Sequence, residues 1–388
     1  MSIKRPGVRV ASLLALLLTM ALPTGLAMAQ EPVLISAAGA SGTAIISDSV
    51  SLGDTITIAM KDVPAQSADT ALEGWLITDD GSAKLSTGIM AVGADGTIAH
   101  VFVSADGENL IASYNKFVVT VEPAPDTDPE PSGVIAFSHR IPLAGAAHVR
   151  HLLTSWPPGT DSGILANLRT QLQMAIDHVE LAINAATLEE VQLHTHHVLN
   201  IIEGVDGANF DASFGNPGDG LGVLLHAEDS KHATFAAQEA GEVIFTTNAA
   251  LVEASGGNAA DRAIAARDIA LVSLGESSLF AAKLNLTPVL GLLTTALHGV
   301  DADADGTIAS GSNEGGADQA YVSAQLMATY TMAEGGLEPV GPELGIGLSK
   351  TGDESVAIMA MMALAGALVL IIGGGAMVLR TRRIKNDR

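Results

Sequence analysis

Residues 164–204 read ILANLRTQLQMAIDHVELAINAATLEEVQLHTHHVLNIIEG. Ile164, Leu165, Leu168, Leu172, Ala175, Val179 and Ile183 fall at helical spacing, which lines them along one stripe of an α-helix. Thr187 followed by Glu190 forms a capping box, which satisfies the first free N–H groups of a second helix reaching about Glu203. Neither helix can bury its stripe alone, so more helices must follow. The patterns place them at Gly220 to about Ala240, Asp261 to Leu284, Thr287 to His298 with Pro288 in the first turn, and Tyr321 to Met332. The expectation is an all-α, His-rich bundle over 140–335. Gly204-Val205-Asp206 and Gly299-Val300-Asp301 each close a helix and open a loop rich in Asp, Asn and Gly, which predicts an internal duplication of a helix–helix–loop–helix unit.

Eight histidines cluster here: His148, His151, His178, His194, His196, His197, His226 and His232. His148 and His151 share a helix face, as do His194 and His197. His194 and His197 flank the apolar stripe of Val191, Val198 and Ile201, which turns them toward the bundle interior. His178, His194 and His197 are therefore candidate ligands for a transition metal or a non-covalent haem. The Glu-x-x-His repeats of a di-iron bundle are absent, although Asp177, Glu180 and Glu203 are near. The same spacing also serves core histidines held by hydrogen bonds, and that alternative stays open.

Asp301-Ala-Asp303-Ala-Asp305-Gly306-Thr307-Ile308 matches the first half of a calcium loop. Alternate carboxylates offer hard oxygen ligands, Gly306 permits the bend and Thr307 offers a carbonyl. Position twelve is Ser312, so the closing carboxylate has to come from Glu314. An acidic turn without metal would use the same residues. Asp206, Asp211 and Asp219 form a sparser counterpart in the first loop.

Upstream, residues 32–137 alternate polar and apolar in short runs separated by Asp-Gly turns, which predicts an antiparallel β-sandwich. Gly74-Trp75-Leu76, Gly88, and above all Phe117-Val-Val-Thr-Val-Glu-Pro-Ala124 with Pro131-Ser-Gly-Val134, resemble the extracytoplasmic C-terminal domain of anti-sigma-K factors. That family carries a cytoplasmic sigma-binding domain before its membrane span, and here a leader-like segment takes that place. The resemblance implies the β-domain and, as one alternative, a regulatory role in an anti-sigma-factor-like system; it does not carry sigma inhibition over. His148-Val-Arg-His151, Asp177-His178, the stretch from His194 to Gly204, and Asn216-Pro-Gly-Asp-Gly220 resemble an uncharacterised domain of membrane-anchored bacterial proteins.

The two ends predict an address. Lys4, Arg5 and Arg9 precede an apolar run to Leu22, and Ala27-Met28-Ala29 supplies a cleavage pattern, so 1–29 reads as a signal peptide. Residues 356–379 carry no charge and are long enough to span a bilayer. Arg380, Arg382, Arg383, Lys385 and Arg388 follow and hold that end in the cytoplasm. The chain is thus expected to be a single-pass plasma-membrane protein. Its extracytoplasmic part joins a Gly-rich stalk at 336–354, then a span at 355–379 and a tail at 380–388.

Between leader and span the chain carries 42 acidic and 11 basic residues, a net charge of −31. That charge repels nucleic acid and attracts cations. The absence of cysteine excludes disulfides and thiolate metal sites. No Gly-x-Ser-x-Gly elbow occurs, and Glu253 to Asn258, a Gly-rich stretch, lacks the lysine of a phosphate loop. The expectation is a non-enzymatic binding or sensing protein, with an unidentified extracytoplasmic or membrane protein as partner. A metal- or haem-handling redox role is the alternative.

Overall fold

Alternation builds the first strands. In Thr55–Lys61, Ile56, Ile58 and Met60 turn inward while Thr57, Ala59 and Lys61 face water. A computed structural model describes residues 39–334; the leader, stalk, span and tail expected from the sequence lie outside them. Seven strands occupy the N-terminal part: β1 (Ser41–Ser47), β2 (Thr55–Lys61), β3 (Thr70–Thr78), β4 (Lys84–Met90), β5 (Ile98–Val103), β6 (Tyr114–Pro123) and β7 (Ile135–Arg140), with a single helical turn, α1 (Leu110–Ser113), before β6.

An eighth strand comes from the far end of the described chain. Thr329–Glu334 (β8) pairs antiparallel with β1 on one side and β7 on the other. The strand order is β4-β3-β6-β7-β8-β1-β2-β5, two antiparallel four-stranded sheets joined where β7 meets β8. This corrects the expected helix over Tyr321–Met332, which ends at Met327. Tyr330 anchors the new strand: it is fully buried, its hydroxyl donates to the Tyr114 carbonyl (3.1 Å), and its ring lies 5.9 Å from Phe117. The outer strands approach each other, since the His100 ring N–H on β5 donates to the Thr87 carbonyl on β4 (2.7 Å). After β6 the chain passes through a Pro-rich stretch, Pro123 to Pro131. It returns as β7 beside β6, with Ser132 N–H donating to the Glu122 carboxylate (3.0 Å).

The helices therefore form an insertion between two strands that are neighbours in the sheet. They are α2 (Leu143–Leu153), α3 (Ile164–Asn184), α4 (Leu188–Glu203), α5 (Val223–Asp229), α6 (His232–Ala240), α7 (Val243–Leu274), α8 (Leu279–His298) and α9 (Ala317–Met327). The first pair matches the expected spans, and the Thr187–Glu190 capping box is present.

Three expectations differ. The helix expected from Gly220 breaks into α5 and α6 at Ser230. The helix expected from Asp261 starts at Val243, because Ser255 and Gly256 serve close packing rather than a loop: a Cβ on Gly256 would lie 2.8 Å from Ser230 Oγ. Pro288 lies inside α8, where the carbonyl it leaves unbonded belongs to the exposed Leu284. Among the described residues α8 is the one helix long and apolar enough to cross a membrane, but Leu286, Val289 and Leu293 are fully buried in the bundle.

The two long loops close alike. Val205 N–H donates to the Gly220 carbonyl (2.9 Å) and Val300 N–H to the Glu314 carbonyl (2.9 Å). Gly204 and Gly299, both at positive φ, start them where a Cβ would strike the returning backbone.

Candidate metal centres

Among the described residues three groups bring ligand atoms together: His178 with His194 and His197, His148 with His151 and His232, and Asp301 with Asp303 and Asp305.

The first lies between antiparallel neighbours. α3 presents His178, and α4 presents His194 and His197 one turn apart. His178 Nδ1 is 3.2 Å from His194 Nδ1 and 3.3 Å from His197 Nδ1. Zinc–imidazole bonds of about 2.0–2.1 Å at tetrahedral angles set nitrogens about 3.3–3.4 Å apart. The two separations from His178 match that edge, and the three rings bring one ligand nitrogen each within 4.8 Å of one another. His197 Nε2–H donates to the Phe214 carbonyl (2.8 Å), which leaves the Nδ1 lone pair facing inward.

That carbonyl is itself positioned. Fully buried Asn200 donates to the Asp211 and Gly215 carbonyls (2.9 and 2.6 Å) and accepts from Asp211 N–H, clamping the short turn at Ala212–Phe214. Burial, and then the neighbouring His197 and His194, push His178 down to about 4. Burial and His197 also lower His194. Both rings are neutral at pH 7, the form that binds metal.

The second group joins helices distant in sequence. His148 and His151 stand one turn apart on α2, and His232 opens α6. His232 Nδ1 lies 3.0 Å from His148 Nδ1 and 3.3 Å from His151 Nδ1. Gly145 lets α2 come this close, since a Cβ there would meet Ala240 Cβ at 2.8 Å. His232 is 3% exposed, and burial followed by the neighbouring His151 and His148 pushes it down to about 3. Burial, with His148 beside it, pushes His151 down to about 4. The sequence signalled the His148–His151 pair, but not His232 as its partner, because only the tertiary fold joins them.

The remaining two histidines of the cluster have structural partners. His226, 1% exposed, pairs with Asp219 (2.6 Å), and His196 stacks on Phe214 at 3.7 Å.

In the acidic turn, Asp301 accepts from Asp305 and Gly306 N–H (3.2 and 3.0 Å), and Thr307 N–H and hydroxyl donate to Asp305 (2.8 and 2.6 Å). The aspartates are exposed, while Glu314 is buried. Its carboxylate accepts from the N–H groups of Ala302 (3.0 Å), Asp303 (3.3 Å) and Ala309 (2.9 Å), led by the Ala309 bond in holding it below the usual carboxylate range. Glu314 braces the loop from within instead of converging with the aspartates. The sparser set in the first loop does not gather: Asp211 caps Ser213 and Asp219 holds His226, Leu221 and Gly222. Glu203, noted beside the histidines, is engaged by Asn209 and Arg267.

Residues 9–135 match the family model described as anti-sigma-K factor rskA, C-terminal. The match covers the β-rich part and stops near the start of β7, about a third of the chain. No curated protein and no solved structure matches.

Proposed function

We propose that this chain is a membrane-anchored, extracytoplasmic, non-enzymatic protein that binds a transition-metal ion through His178, His194 and His197. The observation that carries the reading is that the three rings bring one ligand nitrogen each within 4.8 Å of one another, with His178 Nδ1 at the edge length of a metal tetrahedron from His194 Nδ1 and from His197 Nδ1 and the His197 tautomer fixed by the Phe214 carbonyl. An all-imidazole set suits zinc, copper or nickel. It suits haem poorly, because a porphyrin needs imidazoles on either side of a flat slot, and three rings aimed at one point leave none.

The exposed aspartate turn is assigned a separate role as a calcium-type site, with Asp301, Asp303 and Asp305 as ligands and Thr307 offering its carbonyl. The two helix–helix–loop–helix segments are assigned to a duplication, which their matching loop closures support. The two sheets are assigned to a sandwich around Ile46, Ile58, Leu76 and Phe117.

The test is elemental analysis of full-length protein purified without a His-tag, beside the His194→Gln variant. Bound transition metal is expected, reduced by one ion in the variant. Equal metal content in the two would remove the assignment.

A second reading rests on the family match over 9–135: a regulatory role in an anti-sigma-factor-like system, exerted through another membrane protein. Co-purification of such a partner from membranes tests it, and a chain recovered without partners counts against it.

A further inference from the structure

The α2–α6 group differs from the α3–α4 group in construction. Its ligands lie 81 and 84 residues apart in the chain. Its walls are aromatic: Trp156 packs 4.7 Å from His151 and 4.6 Å from His232, and Phe235 lies 5.5 Å from His148 and 5.6 Å from His232. Trp156 is itself fixed, its indole N–H donating to Asp229 (3.1 Å).

His148 Nε2 faces the Glu239 carboxylate at 3.5 Å. A carboxylate there keeps the proton on the outer nitrogen and leaves the Nδ1 lone pair facing inward, the arrangement of a metal-ligating histidine. His232 Nδ1 meets both His148 Nδ1 and His151 Nδ1 inside this box. A single proton on His232 can serve only one of those contacts well, whereas one ion satisfies all three nitrogens. Buried polar atoms left without partners are costly, and His232, at the centre of the group, is buried.

We propose that His148, His151 and His232 form a second transition-metal centre, separate from that at α3–α4, in which the bound ion clasps α2 to α6. The ligand is a first-row dication that accepts three imidazoles, and zinc is the probe. The clasp closes a loop of more than 80 residues, so occupancy stabilises the bundle as well as filling the site.

The test uses full-length protein in detergent, stripped with chelator and reloaded with zinc, calcium being in excess to saturate the acidic turn. Zinc content is measured for wild type, His232→Gln and His194→Gln. Tryptophan emission is followed in the Trp75→Phe background, where Trp156 is the one tryptophan left. Two zinc ions are expected for wild type and one for each variant. Zinc should change Trp156 emission in wild type and His194→Gln, and not in His232→Gln.

Should His232→Gln fail to fold, His151→Gln replaces it in both readouts. Wild-type stoichiometry unchanged by His232→Gln, or a Trp156 signal indifferent to zinc in His194→Gln, overturns this centre while leaving the α3–α4 assignment standing. Stoichiometry unchanged by His194→Gln alone overturns that other assignment and leaves this one.

Discussion

Replacing Tyr330 by Ala tests whether sheet and helices stand or fall together. The side chain is fully buried against Phe117, and its hydroxyl bonds the Tyr114 carbonyl. Deleting a large buried aromatic costs about 3–5 kcal/mol, and the lost hydrogen bond adds about 1 kcal/mol. The sum is a large share of the roughly 5–15 kcal/mol that holds a domain folded. Tyr330→Phe keeps the ring and should cost only about 1 kcal/mol.

The protein carries its own two reporters for this test. Trp75 lies in β3, where its indole donates to Thr120 (2.8 Å), and Trp156 lies among the helices. Urea unfolding is followed in the single-tryptophan variants Trp75→Phe and Trp156→Phe. Because β8 binds the end of the helical insertion into the sheet, both reporters should give one coincident transition. Tyr330→Ala should move both midpoints together. A shift of the Trp75 transition with the Trp156 transition left in place would refute the coupling.

Glu314→Gln should destabilise the Asp301–Asp305 turn, since it puts an amide donor where the carboxylate accepts three backbone N–H groups. A cost of about 1–3 kcal/mol is expected, read as a lower melting midpoint and a smaller calcium-induced rise; a calcium response equal to that of wild type would count against the brace. Acid should destabilise the metal-free protein. His151, His178 and His232 are held at about 4, 4 and 3 against an ordinary 6.5, so between those values the unfolded chain binds more protons than the folded one. Their contribution is complete above about 6.5 and is lost as pH falls toward 3–4. Melting in chelator at pH 7.5 and 5 checks this, and replacing the three histidines by Gln should flatten the profile.

Much of the β-region was legible because its pairings are local. Asp79-Asp80-Gly81 and Asp95-Gly96 mark turns, Gly81 and Gly96 taking positive φ as the turns require. β7 and β8 were not legible. The ladder that fixes β8 is long-range: it pairs with β7 nearly 200 residues away and with β1 nearly 290 residues away, and Thr329–Glu334 contains Met, Ala and Glu, which suit a helix as well as a strand. In α7, Ser255-Gly256-Gly257 imitates a loop, and the reason for Gly256 is Ser230 on another segment. At the sites, His178, His194 and His197 followed from helical spacing across one tight hairpin. His232 could not, since its partnership depends on how α6 crosses α2. Glu314 was legible as part of the acidic loop, but its inward direction was not.

The register of β8 against β1 has a mechanical consequence. Gly42 is paired with Met332, so the chain enters and leaves the described fold side by side, at the same end of two neighbouring antiparallel strands. A pull applied between these two points would load the ladder as a zipper, one rung at a time, instead of shearing all rungs at once. The helices sit beyond the last rung, and tension would reach them only after β8 had peeled away.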